Sequence, residues 1–161
     1  MNYDKRIEEY LEEQIKCISS FNINHKQTIQ KIFTTIQLAR DTSKTIFIMG
    51  NGGSASTASH FATDLLKTSI VKNRDRFKAV SLSDNIPVML AWANDTSYDD
   101  IFVEQLRNCL SENDIVIGIS GSGNSANVIK AIEFANATKA LTISLTGKDG
   151  GKLSKHSQIN L

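Results

Sequence analysis

Thr45-Ile46-Phe47-Ile48-Met49-Gly50-Asn51-Gly52-Gly53-Ser54 is the stretch that decides the fold. Its apolar run ends at Gly50 in a glycine-rich turn, and residues 54–66 then have the apolar spacing of a helix. A continuous apolar run is typical of a strand that is buried on both faces, as in a parallel sheet. The stretch therefore predicts a strand–loop–helix unit of an α/β protein.

Similar apolar runs recur along the rest of the chain. They lie at residues 77–82, 115–119, 140–145 and 158–161. Helical spacing recurs between the runs, at residues 99–110 and 125–137. Alternation of this kind predicts a parallel sheet whose helices form right-handed crossovers.

The N-terminal part, residues 1–43, has a different pattern. Apolar residues recur every three or four positions, first up to Phe21 and again after Asn24. This spacing predicts a pair of helices in front of an α/β core at 44–161, all within a single domain. The pair either covers one face of the sheet or packs on another subunit.

Composition excludes several classes of protein. The chain has 161 residues, 40% of them apolar and 22% charged, with a net charge of +1. These values exclude a disordered tail or a rod, and the balanced charge argues against nucleic acid as the main ligand. No apolar run reaches the length of about 18 residues that a membrane helix requires. We expect Cys17 and Cys109 to be buried apolar residues and the protein to be cytoplasmic.

The glycine-rich loop after the first strand is a candidate ligand site. Asn51, Gly52, Gly53 and Ser54 connect that strand to a helix whose first N–H groups are unpaired. Such a loop can bind an anion, or it can be a tight turn without a ligand. It also matches the relaxed dinucleotide fingerprint G-x-G-x-x-A, which on its own is a weak signal.

A second candidate loop, Ser120-Gly121-Ser122-Gly123-Asn124-Ser125, follows another buried strand. It offers three hydroxyls, an amide and backbone N–H groups, which suits a compact phosphate monoester. The loop lacks the Gly-Lys-Ser/Thr of a nucleotide-triphosphate site. The alternative is a serine-rich linker.

Three further features carry two interpretations each. His60 and Asp64 are four residues apart on one helix face, where spacing alone favours a structural hydrogen bond over proton chemistry or metal binding. Asn94-Asp95 predicts a helix cap or a contact with sugar hydroxyls. Residues 146–151 predict a turn before a helix or the rim of a ligand site.

Several of these motifs occur in an order that resembles a known family. They are Gly50 to Ser54, His60-Phe61-Ala62, Leu82-Ser83-Asp84, Ala93-Asn94-Asp95, Ile119 to Val128, and Leu145 to Gly151. Together they are similar to the phosphoheptose isomerase branch of the sugar isomerase (SIS) domain family. The resemblance extends from about Thr45 to the last residue.

The resemblance implies a three-layer α/β sandwich that is flavodoxin-like or Rossmann-like, assembled as a homotetramer. It implies an isomerase that converts sedoheptulose 7-phosphate to D-glycero-D-manno-heptose 7-phosphate, for the synthesis of heptose in surface glycans. Zinc would be held by His60 and Asp64, which are also the candidate catalytic residues, and either Asp64 or a His of the family's C-terminal helix would move the proton. The implied substrate contacts are Asn51, Gly52, Gly53, Asn94, Asp95, Ser120, Gly121, Ser122 and Ser125, and we add Ser54 of the first loop.

Two departures from the family pattern stand out. The family usually has Glu where this chain has Asp64, whose carboxylate would lie about 1 Å further back, a displacement that can cost about 100-fold in rate. The Gln and His that the family carries in its C-terminal helix have no counterpart before Leu161, and His156 does not match them. We therefore expect that a C-terminal helix is missing from the sequence.

Two other functions remain open from the sequence. The first is a non-catalytic phosphosugar-binding protein that acts as the tetrameric partner of a replication initiator. The second is a nucleotide-binding Rossmann protein, which depends on the G-x-G-x-x-A match alone.

Overall fold

The computed structural model describes residues 3–161, apart from the side chains of residues 22–24. Residues 1–2 of the predicted N-terminal helices lie outside this part. The strands are β1 Thr45–Gly50, β2 Lys78–Ser81, β3 Ile115–Ser120, β4 Leu141–Thr146 and β5 Ile159–Asn160. The helices are α1 Tyr3–Asp41, α2 Gly53–Thr63, α3 Ile86–Asp95, α4 Val103–Cys109, α5 Ala126–Ala137 and α6 Leu153–His156. A π-helical turn, Asp64–Thr68, continues α2, and a 3-10 turn, Tyr98–Asp100, precedes α4.

The five strands form one parallel sheet in the order β2-β1-β3-β4-β5. All the predicted strands are present, so the expected parallel sheet is confirmed. This order is the flavodoxin-like one, in which the chain reverses its direction of travel across the sheet between β1 and β3. Ligands of such sheets bind outside the carboxyl ends of the strands at this switch point.

Both faces of the sheet are covered, which gives the predicted three layers. On β1, Ile46 and Ile48 point into the apolar core that contains Ile36 of α1 and Ala58 of α2. Phe47 and Met49 point into the opposite core, built mainly by residues of α4 and α5. The apolar runs are continuous because successive strand residues enter different cores.

The N-terminal helical pair is corrected by the structure. Residues 3–41 form a single helix of 39 residues rather than two helices. The chain has neither glycine nor proline between Ser20 and His25, so nothing in the backbone stops the helix there. Its C-terminal half covers the sheet through Ile36 and Ala39, as one of the two predicted arrangements requires.

One short helix, α3, was not predicted from the sequence. α3 begins after Asn85, whose side-chain oxygen accepts a hydrogen bond from the Val88 N–H at 3.4 Å. Pro87 lies in its first turn, where a missing N–H costs nothing. α6 is only one turn long and follows the loop after β4.

The expectation of buried cysteines is wrong. Cys17 and Cys109 are both exposed and unpaired. Cys109 lies in the last turn of α4, where its thiol donates to the Gln105 carbonyl at 3.1 Å. Partial burial, with a smaller contribution from the negative charge of Asp114, raises the pKa of this thiol. The prediction relied on the average burial of cysteine in proteins. That average does not decide which face of its helix a particular cysteine occupies.

The described residues contain no helix that combines the length and the apolar character needed to cross a bilayer. The longest helix, α1, carries acidic and basic residues along much of its length.

Candidate functional site

The glycine-rich loop turns the chain from β1 into α2. Gly52, at the N-cap of α2, has φ 54° and ψ −122°, a conformation that side chains strongly disfavour. The loop is closed by two backbone bonds, from Ser54 N–H to the Asn51 carbonyl and from Ala55 N–H to the Gly52 carbonyl, each 3.0 Å long. The glycine-rich loop therefore forms a close turn from β1 into α2.

The serine-rich loop lies beside it, at the end of the neighbouring strand. Gly50 of β1 pairs in register with Ile119 of β3, so the two loops leave the sheet side by side. Ser120 is buried, and its hydroxyl lies 3.0 Å from the Ser125 hydroxyl just before α5. Ser122 is exposed. The loop thus presents neutral hydroxyl and backbone donors at the switch point.

The loop after β4 supports the serine-rich loop from behind. The Leu153 N–H donates to the Gly123 carbonyl at 2.8 Å, and the Lys152 N–H donates to the Asn124 side-chain oxygen at 3.2 Å. The turn-and-helix interpretation of residues 146–151 is confirmed, since α6 begins at Leu153.

An unpredicted network joins the two loops at the switch point. The carboxamides of Asn51 and Asn127 donate to each other, both at 2.9 Å, and the Tyr98 hydroxyl donates to Asn51 Oδ1 at 3.0 Å. The sequence carried one signal of this: Asn127 is an amide on the buried side of an otherwise apolar helix. Tyr98 carried no such signal, because its role depends on how α3 and α4 are placed.

His60 and Asp64 form the predicted pair on α2. His60 Nε2 lies 3.3 Å from Asp64 Oδ2, and the side chains are 79% and 49% exposed. Thr68 donates to the other carboxylate oxygen at 2.9 Å. Asp64 is the residue at which α2 widens into a π-helical turn, a feature found often at functional sites. The pair shares a shallow depression with Ser56 and Thr57 and lies about two to three turns beyond the glycine-rich loop.

Two polar residues of the predicted Leu82-Ser83-Asp84 motif also hold the first loop. The Ser83 hydroxyl donates to the Gly50 carbonyl at 3.1 Å. Asp84 accepts a hydrogen bond from Ser59 of α2. These contacts fix the end of β2 against β1 and α2, and neither residue was named as a site residue from the sequence.

Asn94 and Asp95 lie on the exposed end of α3, where the Asn94 amide donates to the Asp95 carboxylate at 2.8 Å. Within residues 3–161, no hydrogen bond connects this pair to either loop. Three residues later, Tyr98 makes that connection instead.

The turn that carries Tyr98 is anchored to α5 by an ion pair. Lys130 of α5 binds Asp100, and this hydrogen bond is the main cause that lowers the pKa of the Asp100 carboxyl. The same contact raises the pKa of Lys130. The turn that places Tyr98 next to Asn51 is thus fastened to α5 by a charged contact.

A family model for the SIS domain matches residues 9–147. The chain belongs to the SIS domain family. This SIS domain is 38% identical over 148 residues to the phosphoheptose isomerase of Aliarcobacter butzleri, with 85% of this chain and 78% of the relative covered. It is 40% identical over 136 residues to the phosphoheptose isomerase of Helicobacter pylori strain 26695, with 84% and 68% covered.

Solved structures have the same architecture. The phosphoheptose isomerase of Neisseria gonorrhoeae superposes with a TM-score of 0.90 at 28% identity, covering 99% of this SIS domain and 84% of that chain. The phosphoheptose isomerase of Francisella tularensis gives a TM-score of 0.92 at 26% identity, with 99% and 85% covered. The flavodoxin-like sandwich with its long N-terminal helix is therefore shared with these enzymes.

Proposed function

We propose that this SIS domain is an aldose–ketose isomerase that converts sedoheptulose 7-phosphate to D-glycero-D-manno-heptose 7-phosphate. The observation that carries the proposal is the pairing of two loops at the β1/β3 switch point, one rich in glycine and one in serine. The substrate class is inferred from relatives that are 38–40% identical to this chain and are named phosphoheptose isomerases.

The serine-rich loop is the proposed phosphate site. Its hydroxyls and the N-terminus of α5 offer hydrogen bonds and a partial positive charge without a lysine or arginine in the loop itself. Ser120, Gly121, Ser122 and Ser125 would bind the phosphate, while residues 51–54 and the Asn94-Asp95 pair would contact the sugar. A site of neutral donors holds the phosphate and still lets the product leave.

Asp64 is the proposed base for the proton transfer between C1 and C2. Thr68 and His60 each contact a different oxygen of its carboxylate, which orients the group. In the reaction, Asp64 would take a proton from C1, giving an enediolate. The proton of the C1 hydroxyl would pass to the C2 oxygen, and Asp64 would return a proton to C2, which leaves the aldehyde at C1. A base positioned in this way contributes about 10²- to 10⁴-fold to a rate.

Zinc fits the His60–Asp64 pair. With zinc–ligand bonds of 2.0–2.1 Å, two ligands of a tetrahedral ion lie about 3.3 Å apart, and the Nε2–Oδ2 distance is 3.3 Å. No group of three or more His, Cys, Asp or Glu ligands occurs within residues 3–161, so this pair would supply two ligands and the rest would come from other groups. Bound zinc would polarise the sugar carbonyl.

The homotetramer belongs to the same proposal. The N-terminal half of α1 exposes an apolar stripe, with Ile18 exposed by 71% and Ile15 by 64%. An exposed apolar helix face of this length favours burial against other copies of the helix. We place the enzyme in the cytoplasm, where sugar phosphates are made and consumed.

Proton NMR of sedoheptulose 7-phosphate in D₂O, with and without added zinc, tests the proposal. We expect the aldose to form with deuterium on the carbon beside its carbonyl. Line broadening of the sugar phosphate without turnover or exchange would overturn the isomerase. That outcome would favour the non-catalytic alternative, which the names of the relatives do not support.

A further inference from the structure

We propose that Tyr98 and Asn127 are positioning residues that lock the Asn51 carboxamide as a hydrogen-bond donor to the carbonyl oxygen of the open-chain sugar. This inference rests on the proposed function and adds two residues that were not among the site residues predicted from the sequence. It starts from the polarity of the network at the switch point.

A backbone N–H sets that polarity. The Val128 N–H donates at 2.9 Å to one side-chain atom of Asn127, which must be the oxygen because a backbone N–H can only donate. The same Asn127 oxygen accepts at 2.9 Å from Asn51, so the Asn51 atom facing it is the amide nitrogen. The order of donors and acceptors therefore follows from a group that cannot be reversed.

The Asn51 oxygen is saturated as a result. It accepts from Asn127 Nδ2 at 2.9 Å and from the Tyr98 hydroxyl at 3.0 Å, which uses both of its lone pairs. The Asn51 nitrogen donates one N–H to Asn127, and its second N–H has no acceptor within residues 3–161. Asn51 is partly exposed at the end of β1. What it can still offer a ligand is one N–H donor and no acceptor.

The buried partner makes this arrangement rigid. Asn127 is only 2% exposed, so turning its amide would leave polar atoms unpaired in the core between sheet and helix. Tyr98 lies in a turn that the Asp100–Lys130 ion pair fastens to α5, the helix that also carries Asn127. Both groups that orient Asn51 are thus held by the same helix.

A fixed donor suits an oxygen that only accepts. With the phosphate assigned to the serine-rich loop, the carbonyl is the one remaining oxygen of the open-chain sugar that only accepts, since its hydroxyls also donate. We assign it to Asn51 because it also gains negative charge as the enediol forms. A donor that is already oriented toward such an oxygen stabilises the transition state more than the bound substrate. Loss of this donor should therefore lower kcat and leave KM nearly unchanged.

Two variants test the network in the full chain. Tyr98→Phe removes one hydroxyl, and we expect kcat for sedoheptulose 7-phosphate to fall roughly 3- to 10-fold. Asn127→Asp replaces the donor to Asn51 by an acceptor, and we expect a fall of about 100-fold. In both variants KM should stay within about twofold of its original value. Tyr10→Phe on α1 and Asn136→Asp at the far end of α5 make the same chemical changes away from the site.

An unchanged kcat in both variants would overturn the inference, as would a rise in KM at constant kcat. If Asn127→Asp loses kcat only in proportion to its loss of thermal stability, as the control Asn136→Asp does, Asn127 has a structural role. That result would also overturn the inference.

NMR of the side-chain amides separates this inference from the proposed function. In ¹⁵N-labelled protein, the Asn51 amide proton that is donated to Asn127 should exchange slowly with solvent and the other Asn51 amide proton quickly. Equal exchange of both protons in the unmodified protein would contradict the locked amide, whatever the enzyme does. If the slow and fast protons are observed but sedoheptulose 7-phosphate is not isomerised, the proposed function fails and the oriented donor stands.

Discussion

Gly123 lies against the carbonyl of Gly150, so close that a methyl group on Gly123 would come within 2.0 Å of the Gly150 oxygen. Gly123 also has φ 64°, in the left-handed region. This contact joins the serine-rich loop to the loop after β4, and it explains why glycines occur at corresponding points of both. The proposed phosphate site therefore depends on residues that would not themselves touch the phosphate.

We expect Gly123→Ala to destabilise the protein by more than the roughly 1–2 kcal/mol of a left-handed alanine, because the methyl group must also displace backbone. Thermal unfolding provides the measurement. Gly121→Ala is the matched control for stability, since a Cβ there meets no atom within 4 Å and φ is not positive. Equal losses in the two variants would contradict the packing of the two loops.

Asp64→Asn should reduce isomerase activity by about 10²-fold or more while leaving the unfolding temperature nearly unchanged. Asn keeps the size of the side chain and removes the base, and the side chain is half exposed, so little stability depends on its charge. The measurements are kcat and thermal unfolding. Asp75→Asn, on an exposed surface loop, is the control with the same change of charge. An active Asp64→Asn enzyme would assign the proton transfer to another group.

His60→Ala should abolish the binding of zinc. The molecule offers a close control, because His156 also lies next to a carboxylate, with its Nδ1 3.1 Å from Glu133 Oε1. The expected result is zinc bound by the unmodified chain and by His156→Ala but lost from His60→Ala, measured as metal content after dialysis. Retention of zinc by His60→Ala would exclude the pair on α2 as its site.

Ile18→Glu should convert the proposed tetramer to smaller species without unfolding the α/β core. Ile18 is 71% exposed on the apolar stripe of α1, so a charge there costs nothing in an isolated chain but is unfavourable in a helix–helix contact. Light scattering after size-exclusion chromatography measures the mass. Lys16→Glu, which changes charge on the opposite face of the helix, should leave the mass unchanged. An unaltered mass for Ile18→Glu would show that the stripe is not the contact.

The Asp100–Lys130 pair predicts a pH dependence of stability. Lys130 lowers the pKa of Asp100 below its usual value of 3.8, so the folded state binds this proton less readily than the unfolded state does. The contribution is then fully present above pH 3.8 and is lost as the pH falls through the folded-state pKa. The difference in unfolding free energy between the native chain and Asp100→Asn should therefore be smaller below pH 4 than at pH 7. Denaturant unfolding at the two pH values measures it. An equal difference at both pH values would contradict the pair.

Local patterns were sufficient for much of the fold. The five strands were predicted because each carries its own apolar run, and the two candidate ligand loops because glycine and serine follow those runs directly. The division of residues 3–41 into two helices was wrong, since the weakly apolar region around Asn24 suggested an end that no backbone feature enforces. The proposed roles of the site residues remain predictions.

By itself, the sequence determined the α/β class, the parallel sheet, the two loops and the His60–Asp64 pair, because each depends on neighbours within a few turns of the chain. Only the tertiary structure decided which loops are adjacent, and it did so through the strand order that places β1 beside β3. It also decided that Tyr98, Asn51 and Asn127 meet, although 47 and 76 positions separate Asn51 from its two partners. Contacts over such distances depend on how the helices pack on the sheet, and local periodicity carries no information about that packing.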